Sequence, residues 1–310
     1  MRLVSYTQGA KGPVRVGILR DGSEGAPLAD LERCTRRLGV PGIPKSPTVR
    51  GLLSLGAGFL GRLSKAAAAF WKEFDRSAAL RRTAGVRLSA IRFLPPIPDP
   101  EKVICIGQNY IDHCREQNAP IPKAPILFAK FPTTLTGHLR PVRLPLVSEK
   151  VDFEAELAVV IGKEGRNIPE AKAYGHVAGY MPLNDVSARD LQYADGQWVR
   201  GKSCDTFAPC GPALVTRDEV PDPQNLRIGL ILNGQAMQDS STSNLIFNVP
   251  FLIAFISRSI TLKPGDIIST GTPPGVGCFR KPPVFLKPGD VMTVWIEGLG
   301  RLTSPVEVGQ

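Results

Sequence analysis

The sequence predicts a mixed, β-rich α+β protein with a smaller N-terminal domain. Beyond residue 97 the chain is dense in predicted strands and turn signals. The proline-rich segment 95–100 breaks regular structure, so we place a domain boundary there, between residues 1–97 and residues 98–310. With 43% hydrophobic and 21% charged residues, the chain has the balance of a folded protein with a sizeable core.

The N-terminal third predicts a β-rich cap followed by a helix. Residues 2–6 and 14–19 are typical of short strands joined by glycine-rich turns. Residues 64–82 predict a helix, since four consecutive alanines favour one and Ser64 is a candidate N-cap. Residues 56–61 match the GxGxxG pattern, but no convincing strand precedes them, so we expect no dinucleotide site.

The formal charge of +10 is concentrated in the N-terminal third. Residues 1–97 hold 17 Lys and Arg against 6 Asp and Glu, while residues 98–310 hold 21 against 22. A nucleic-acid surface would require these cations on one face with interleaved aromatic side chains, and this region has few aromatics. We therefore expect a solvated basic face and no nucleic-acid partner.

Cysteine usage and hydropathy restrict the compartment. The six cysteines show no CxxC spacing, which favours free thiols in a reducing environment. No secretory or transit presequence is visible, because the first 30 residues lack an apolar core and contain three acidic side chains. No apolar run approaches the roughly 20 residues of a membrane span, and residues 249–256 have only the length of a core element. We expect no membrane role.

Residues 151–161 (VDFEAELAVVI) predict a strand that carries two carboxylates on one face. Glu154 and Glu156 are two residues apart, so their Cα atoms would lie roughly 6.5 to 7 Å apart along a strand. Asp185 could complete a set of three hard oxygen ligands, which suits Mg²⁺ or Mn²⁺. An isolated Glu-x-Glu is more often a solvated strand face, and the residues alone leave both interpretations open.

A second candidate pair follows a predicted strand at residues 102–106. Residues 110–117 predict a short helix that places His113 and Glu116 one turn apart on a common face. Glu116 would orient the imidazole, making His113 a general base for a water or a carbon-bound proton. Such a pair is commonly just a solvated surface pair. The proline-rich residues 119–125 look like a hinge or lid loop.

Turn signals dominate the C-terminal part. Residues 263–266 and 287–290 repeat the turn KPGD, each entering a predicted strand, over 267–270 and 291–297. Between them, residues 270–277 (TGTPPGVG) predict a rigid loop whose backbone could approach a ligand closely. It is no phosphate-binding Walker loop, because no Lys-Ser/Thr pair follows the glycines.

Together these segments resemble the fumarylacetoacetate hydrolase family, and within it the domain-containing type 2 branch. The resemblance spans residues 97–308 and is carried by seven motifs in family order: GQNYIDHCRE, ILFAKFPTTLTGH, VDFEAELAVVIGK, NDVSARDLQ, GKSCDTFAPCGPALV, LKPGDIISTGTPPGVG and PVFLKPGD. It implies a mixed β-roll with few helices, a smaller N-terminal domain beside it, and a homodimer. Residues 1–97 depart from the commonest family pattern.

The resemblance also implies roles for individual residues. Glu154, Glu156 and Asp185 occupy its metal-ligand positions, with Mg²⁺ expected and Mn²⁺ possible. The matches to its lid dyad and active-site lysine are His113, Glu116 and Lys202. The matches to its substrate-contacting positions are Tyr110, Arg189, Gln192 and Thr272.

The chemistry implied by the resemblance starts from a small 2-oxo acid. The cation would chelate the 1-carboxylate and 2-oxo oxygens and stabilise an enolate. One enolate serves three reactions, namely keto-enol tautomerisation, decarboxylation and hydrolytic C–C cleavage of an acylpyruvate or fumarylacetoacetate. The type 2 branch points to oxaloacetate tautomerisation in the mitochondrial matrix, with the cytoplasm as the alternative location. The sequence itself does not choose among the three reactions.

Two rival classes are less well supported. A catalytically silent homologue would normally have lost part of the metal set or the dyad, and every position is retained here. A nucleic-acid or partner-binding protein would draw on the basic N-terminal third alone, and salt-dependent retention on polyanions would reveal it.

Overall fold

The structure is a computed structural model that describes residues 1–194 and 196–309. Helices are few and mostly short in the described chain: α1 (Leu31–Leu38), α2 (Val49–Ser54), α3 (Ala57–Arg76), α4 (Ala78–Ala84), α5 (Ile111–Glu116), α6 (Arg189–Ala194), α7 (Val199–Lys202) and α8 (Val249–Ser257).

The strands are numerous and short. In the described residues they are β1 (Arg2–Gln8), β2 (Arg15–Leu19), β3 (Leu28–Asp30), β4 (Gly85–Val86), β5 (Ile91–Phe93), β6 (Val103–Gly107), β7 (Ile126–Lys130), β8 (Leu135–Thr136), β9 (Val142–Leu144), β10 (Val151–Asp152), β11 (Ala155–Ile161), β12 (Val177–Asn184), β13 (Ser187–Ala188), β14 (Ala208–Pro209), β15 (Leu214–Thr216), β16 (Arg227–Leu232), β17 (Gln235–Ser241), β18 (Ile267–Ser269), β19 (Val291–Ile296) and β20 (Gly300–Val308). The predicted β-rich α+β fold is confirmed.

The larger sheet contains eleven strands in the described chain and runs in the order β4-β3-β2-β1-β15-β12-β11-β18-β6-β7, with β5 paired to β1. Its pairs are antiparallel except β18 with β6, which is parallel. Strand β1 lies between β2 and β15, so the N-terminal third continues the sheet that contains β11 and β12.

The smaller sheet has the order β17-β16-β19-β20-β9. It packs against the larger sheet around the main hydrophobic core, which includes Leu157 and Val159 from β11 and Leu230 and Val294 from the smaller sheet. The apolar alternation of these strands points one set of side chains toward this shared core.

A second core fills the opposite face of the larger sheet. There the helices of the N-terminal third pack Leu63 and Phe70 against Ala158 and Val160 of β11 and Met181 of β12. The strand β11 is therefore covered on both faces, which explains its continuous apolar run AVVI. The division of the chain near residue 97 stays a prediction.

The N-terminal helix begins earlier than the sequence predicts. Helix α3 begins at Ala57, inside the GxGxxG segment, and Ser64 lies within the helix, where its hydroxyl donates to Asp218 (2.7 Å). Gly56 precedes the helix with a φ of 86°, and Ser77 caps the next helix, α4. The run of alanines favours helix equally in both directions, so it could not mark the first residue.

The two KPGD turns are alike. Lys263 N donates to Asp266 Oδ2 (2.8 Å), and Lys287 N donates to Asp290 Oδ2 (2.8 Å). The glycine of each turn has φ near 90°, a conformation that other residues rarely adopt. Both turns lead into strands, as predicted.

The apolar run at residues 249–256 forms α8, whose side chains are mostly buried. Among the helices of the described chain, none combines the length and the hydropathy needed to cross a bilayer. The six cysteines are free thiols.

Candidate metal centre and active site

Three buried carboxyl groups converge where β11 begins and β12 ends. Each of Glu154, Glu156 and Asp185 offers an oxygen that lies within 4.8 Å of the others, and all three side chains are buried. The antiparallel register pairs Ala155 with Asn184, so the residues that flank this pair meet at the same end of the sheet. The amide of Asp185 donates to the carbonyl of Glu154 (2.9 Å), which holds these two residues side by side. The structure thus brings the predicted carboxylates together.

The strand that carries them is interrupted, which differs from the prediction. The chain leaves strand geometry at residues 153 and 154, between β10 and β11. The amide of Glu154 donates to Asn184 Oδ1 (2.9 Å) and that of Ala155 to Gln238 Oε1 (2.8 Å). Side-chain acceptors therefore replace a strand partner at this point.

Two buried lysines contact the carboxylates. Lys202 Nζ lies 2.6 Å from Glu154 Oε2 and 2.9 Å from Asp185 Oδ2. Lys130 Nζ lies 2.6 Å from Asp185 Oδ1 and 3.0 Å from the carbonyl of Val186. Lys202 was predicted from its motif, whereas Lys130 was missed. Its sequence signals were its position at the end of the apolar strand β7 and its place within the quoted motif ILFAKFPTTLTGH.

Electrostatics distinguish the two glutamates. Burial alone would raise the pKa of Glu154, but Lys202 and Arg189 outweigh it and lower that pKa to about 2. Burial raises the pKa of Glu156 well above its ordinary range, and Asp185 and Glu154 add to the effect. Within the described chain no lysine or arginine forms an ion pair with Glu156. Glu156 is therefore the carboxyl group whose charge is least compensated.

This donor set fits a hard divalent cation. All three groups offer carboxylate oxygens, the ligands that Mg²⁺ and Mn²⁺ prefer. A bound cation would also give the carboxyl group of Glu156, which has no ion-pair partner among the described lysines and arginines, a positive partner. Buried carboxylates without enough positive charge are costly, so a cation here removes an unfavourable feature of the site. The residues present thus fit the metal that the pattern predicts.

The lysine beside the three carboxyl groups is held in its charged form. Burial alone would lower the pKa of Lys202, but the carboxylates of Asp185 and Glu154 outweigh it and raise that pKa. The ammonium group of Lys202 consequently donates hydrogen bonds to these carboxylates.

Arg189 and Gln192 lie on one turn of α6 and contact each other. Arg189 NH1 donates to Gln192 Oε1 (3.0 Å), and its NH2 lies 2.7 Å from Glu154 Oε1. Its Nε and NH2 each lie 2.9 Å from Asp152 Oδ2. Both predicted residues are buried and adjoin the carboxylates.

The predicted dyad is formed on α5. His113 Nδ1 lies 2.8 Å from Glu116 Oε2, and the other oxygen of Glu116 accepts from the amide of Gly275 (2.8 Å). The imidazole ring is buried and meets Phe279 edge to face at 5.9 Å. Since Nδ1 is engaged by Glu116, Nε2 is the ring nitrogen left for another partner.

A cavity of about 80 Å³ joins these groups. Seven predicted residues line it: His113, Glu154, Glu156, Arg189, Gln192, Lys202 and Thr272. Its apolar wall comes from Ile106, Phe128, Trp198 and Phe279. The other three predicted residues are absent from the described lining: Tyr110, Glu116 and Asp185. Glu116 and Asp185 adjoin lining residues, while the buried hydroxyl of Tyr110 has no hydrogen-bond partner among the described groups.

The predicted rigid loop at residues 270–277 gathers these elements through its backbone. Three amides each donate to a different carboxylate: Gly271 to Glu156 (2.9 Å), Gly275 to Glu116 (2.8 Å) and Gly277 to Asp152 (2.7 Å). Gly271 has a φ of 101°, and a Cβ there would lie 2.8 Å from Asn109 Cβ. The sequence suggested that the backbone of this loop could approach a ligand. In the structure these three amides instead donate to acidic side chains of the protein.

Sequence reasoning missed two further polar residues. Gln238 Nε2 donates to Thr272 Oγ1 (2.9 Å) while its Oε1 accepts from Ala155, so it joins the loop to β11. Asp152 connects Arg189 to the same loop. Asp152 lies within the quoted VDFEAEL motif, and its nearness to Glu154 was the available signal.

The fold and the site define a family. Residues 102–307 match the model described as fumarylacetoacetate (FAA) hydrolase C-terminal, so the chain belongs to the fumarylacetoacetate hydrolase family. The chain is 54% identical over 220 residues to "Oxaloacetate tautomerase fahd2, mitochondrial" of Xenopus laevis, covering 70% of this chain and 69% of that protein. It is 47% identical over 264 residues to "Oxaloacetate tautomerase FAHD2A, mitochondrial" of Homo sapiens, covering 83% and 84%.

Solved structures show the same fold over the full length. The fumarylacetoacetate hydrolase from psychrophilic Exiguobacterium antarcticum superposes with a TM-score of 0.78 at 32% identity, covering 99% of both chains. The 5-carboxymethyl-2-hydroxymuconate delta-isomerase from Mycobacterium smegmatis gives a TM-score of 0.73 at 32% identity, covering 100% of both chains. The family resemblance predicted from the motifs is confirmed.

Proposed function

We propose that this protein is a metal-dependent enzyme that interconverts the enol and keto forms of oxaloacetate. The observation that carries the proposal is that His113, oriented by Glu116, lines the same small cavity as the buried carboxylates Glu154 and Glu156. The frog and human relatives named as oxaloacetate tautomerases support it.

Glu154, Glu156 and Asp185 are the proposed ligands of Mg²⁺, with Mn²⁺ as the alternative. When bound, the cation would supply Lewis-acid stabilisation of negative charge on the oxygens of a 2-oxo acid. Its two positive charges would also reverse the formal balance of the site. The buried groups around it comprise four acids and three bases: Asp152, Glu154, Glu156, Asp185, Lys130, Arg189 and Lys202. With all four acids ionised, a bound divalent cation would leave the site with a net positive charge, which favours an anionic substrate.

Arg189, Gln192 and Lys202 are proposed to hold the substrate oxygens. Arg189 and Lys202 are cationic donors at the cavity wall, and Gln192 offers a neutral amide beside the guanidinium. Carboxylate recognition by such charge-assisted donors fixes both position and orientation. Thr272 and Tyr110 stay predicted substrate contacts, of which Thr272 lines the cavity.

Proton transfer is assigned to His113. Conversion of the enol to the keto form breaks the enol O–H bond, whose proton passes to solvent water, and forms one C–H bond at C3. With Nδ1 held by Glu116, protonated His113 would deliver the C3 proton through Nε2 and regain a proton from water, and in the reverse direction neutral His113 would remove the C3 proton. Lys202, held charged, would donate a hydrogen bond to the oxygen where negative charge develops.

The simpler requirements of tautomerisation favour this reaction over C–C hydrolysis. Hydrolysis of an acylpyruvate or fumarylacetoacetate also requires a positioned water and room for the leaving acyl group. Tautomerisation requires proton transfer at a single carbon, for which His113 and Lys202 suffice.

The decay of enol-oxaloacetate in the ultraviolet tests the proposal directly. We expect purified protein with Mg²⁺ to accelerate that decay and a chelator to abolish the acceleration. Release of CO₂ and cleavage of acylpyruvates are measured in parallel. A decay at the buffer rate, together with cleavage of acylpyruvate or fumarylacetoacetate, would replace the tautomerase by the hydrolase. Rapid CO₂ release would favour the decarboxylase.

We also propose a mitochondrial location and a homodimer. The location is supported by the word mitochondrial in the names of the frog and human relatives, with the cytoplasm as the alternative. The dimer follows from the family resemblance. Fractionation of cells that express the full-length protein tests the first, and light scattering of the purified protein tests the second.

A further inference from the structure

Asp152 is a fully buried carboxylate next to the candidate metal centre that none of the proposed chemical steps uses. Its side chain has 0% exposure and lies at the end of β10, two residues before Glu154. Buried carboxylates are costly unless they are fully hydrogen-bonded. Its surroundings therefore show what the carboxylate holds in place.

Donors surround both oxygens of Asp152. Oδ1 accepts from the amides of Phe153 (2.8 Å) and Gly277 (2.7 Å). Oδ2 accepts from the amide of Cys278 (3.0 Å) and from Nε of Arg189 (2.9 Å), and NH2 of Arg189 also lies 2.9 Å away. One side chain thus fixes the guanidinium and two successive amides of the loop.

The loop is pressed closely against this carboxylate. A Cβ at Gly277 would lie 2.6 Å from Asp152 Oδ1 and 1.9 Å from the carbonyl oxygen of Val284, so the backbone fits only as glycine. The next residues lead to Phe279, whose ring meets His113 at the cavity. Asp152 consequently contacts Arg189, which lies beside the proposed metal ligands. It also contacts the segment that leads to Phe279.

We propose that Asp152 is a positioning residue for the substrate clamp. It holds the guanidinium of Arg189 at an orientation in which NH1 reaches Gln192 and NH2 reaches Glu154, and it fixes the loop that carries Phe279 beside His113. The inference rests on the proposed function, because Arg189 matters here as a binder of substrate oxygens.

Replacement of Asp152 by asparagine tests this role. The NH₂ group of the introduced side chain would face at least one donor, and the anionic partner of Arg189 would be lost. Losing a hydrogen bond to a charged group of this kind corresponds to a roughly 10- to 100-fold effect on binding. We expect oxalate, a planar mimic of the 1-carboxylate and 2-oxygen, to bind 10- to 100-fold more weakly in calorimetry with Mg²⁺. The KM for enol-oxaloacetate should rise similarly, while kcat falls less than tenfold.

Asp30→Asn is the matched control. Asp30 is also fully buried and pairs with the guanidinium of Arg15 (Nε 2.6 Å and NH2 2.8 Å), but it lies on β3 and does not line the cavity. Asparagine is also a good N-cap, so α1 should persist. Asp30→Asn should lower the unfolding temperature and leave oxalate affinity unchanged. Equal oxalate affinity in Asp152→Asn and wild type, with a similar loss of thermal stability in both variants, would reduce Asp152 to a structural residue.

A double-mutant cycle shows whether Asp152 acts through Arg189. We expect Asp152→Asn to weaken oxalate binding by less than about threefold in the Arg189→Gln background, because the effects of coupled residues are not additive. Additive losses would overturn the inference. Should Asp152→Asn fold poorly, Asp152→Glu keeps the charge but moves the carboxylate by one methylene, and positioning predicts a similar loss of affinity. Wild-type affinity in Asp152→Glu would also overturn it.

The binding measurements separate this inference from the proposed reaction. A wild-type protein that binds oxalate but leaves enol-oxaloacetate at the buffer rate rejects the tautomerase, and the calorimetric comparison of the variants still decides the role of Asp152. A wild-type protein that does not bind oxalate with Mg²⁺ rejects the positioning role, because Arg189 then has no such substrate to hold.

Discussion

Replacing His138 by asparagine should remove a loss of stability that the protein suffers between pH 7 and pH 5. His138 follows β8, and its ring lies 5.1 Å from that of Phe93 in the edge-to-face arrangement. Its Nδ1 accepts from the amide of Thr303 (3.1 Å). Burial lowers the pKa of His138 to about 4. Protonation would turn Nδ1 into a donor that faces a donor, so the folded protein resists it.

The sign and size of the effect follow from proton linkage. In the unfolded chain a histidine has a pKa of about 6.5, so below that value the unfolded state binds more protons than the folded state. Stability contributed by neutral His138 is present above pH 6.5 and is lost as the pH falls toward 4. The difference between a pKa of about 4 in the folded protein and about 6.5 in the unfolded chain amounts to about 3 kcal/mol when complete, of which about 2 kcal/mol is lost between pH 7 and pH 5.

Urea unfolding followed by tryptophan fluorescence measures this difference. Asparagine can still accept from Thr303, so His138→Asn removes the titration while keeping an acceptor. Any cost of the smaller side chain is the same at both pH values and cancels when the change from pH 7 to pH 5 is compared between the two proteins. Wild type should lose about 2 kcal/mol more than the variant. Equal losses in both proteins would show that His138 does not titrate as its burial requires.

Three further outcomes concern the site itself. Glu154→Gln and Glu156→Gln should each weaken Mg²⁺ binding at least about tenfold in calorimetry without unfolding the chain. The reason is that each substitution removes a negative ligand at nearly constant volume. Unchanged Mg²⁺ binding in both variants would reject the metal site. His113→Ala should lower turnover by roughly 10² to 10⁴-fold, the usual weight of general acid–base catalysis, and keep Mg²⁺ affinity; wild-type turnover would reject the dyad. Lys130→Met should cost about 3 to 5 kcal/mol of stability in the absence of metal, because it leaves Asp185 with one fewer buried partner. Added Mg²⁺ should recover part of that loss in thermal unfolding, and an unfolding temperature equal to that of wild type without metal would contradict the pairing.

The candidate metal ligands were predictable because the proposed chemistry needs their residue types at a fixed spacing. Glu154 and Glu156 are near in sequence, and the motif around Asp185 supplied the third ligand. Lys130 could not be predicted in the same way, since a lysine at the end of an apolar strand usually reaches solvent. Only the fold, which places β7 beside the end of β12, makes it a partner of Asp185.

The interruption before β11 was unpredictable for a related reason. It depends on the acceptor side chains of Asn184 and Gln238, which are 30 and 83 residues from their amide donors. Local patterning sees only β-branched residues and alternation, and these favour a continuous strand. The contacts of Asp152 with residues 277 and 278 likewise join segments more than a hundred residues apart. Local signals therefore indicated the residues of the candidate site, while distant hydrogen bonds set its geometry.

The position of β1 inside the larger sheet determines how a fragment without the N-terminal third would behave. A fragment of residues 98–310 would lack β1 and so leave the ladder groups of β15 without the partner strand that Arg2 and Leu3 provide. It would also lack the helices that cover Ala158, Val160 and Met181 on the second face of the sheet. An open strand edge beside an uncovered apolar face is a template for pairing with other chains. Such a fragment should aggregate even though it retains every proposed metal ligand and the dyad.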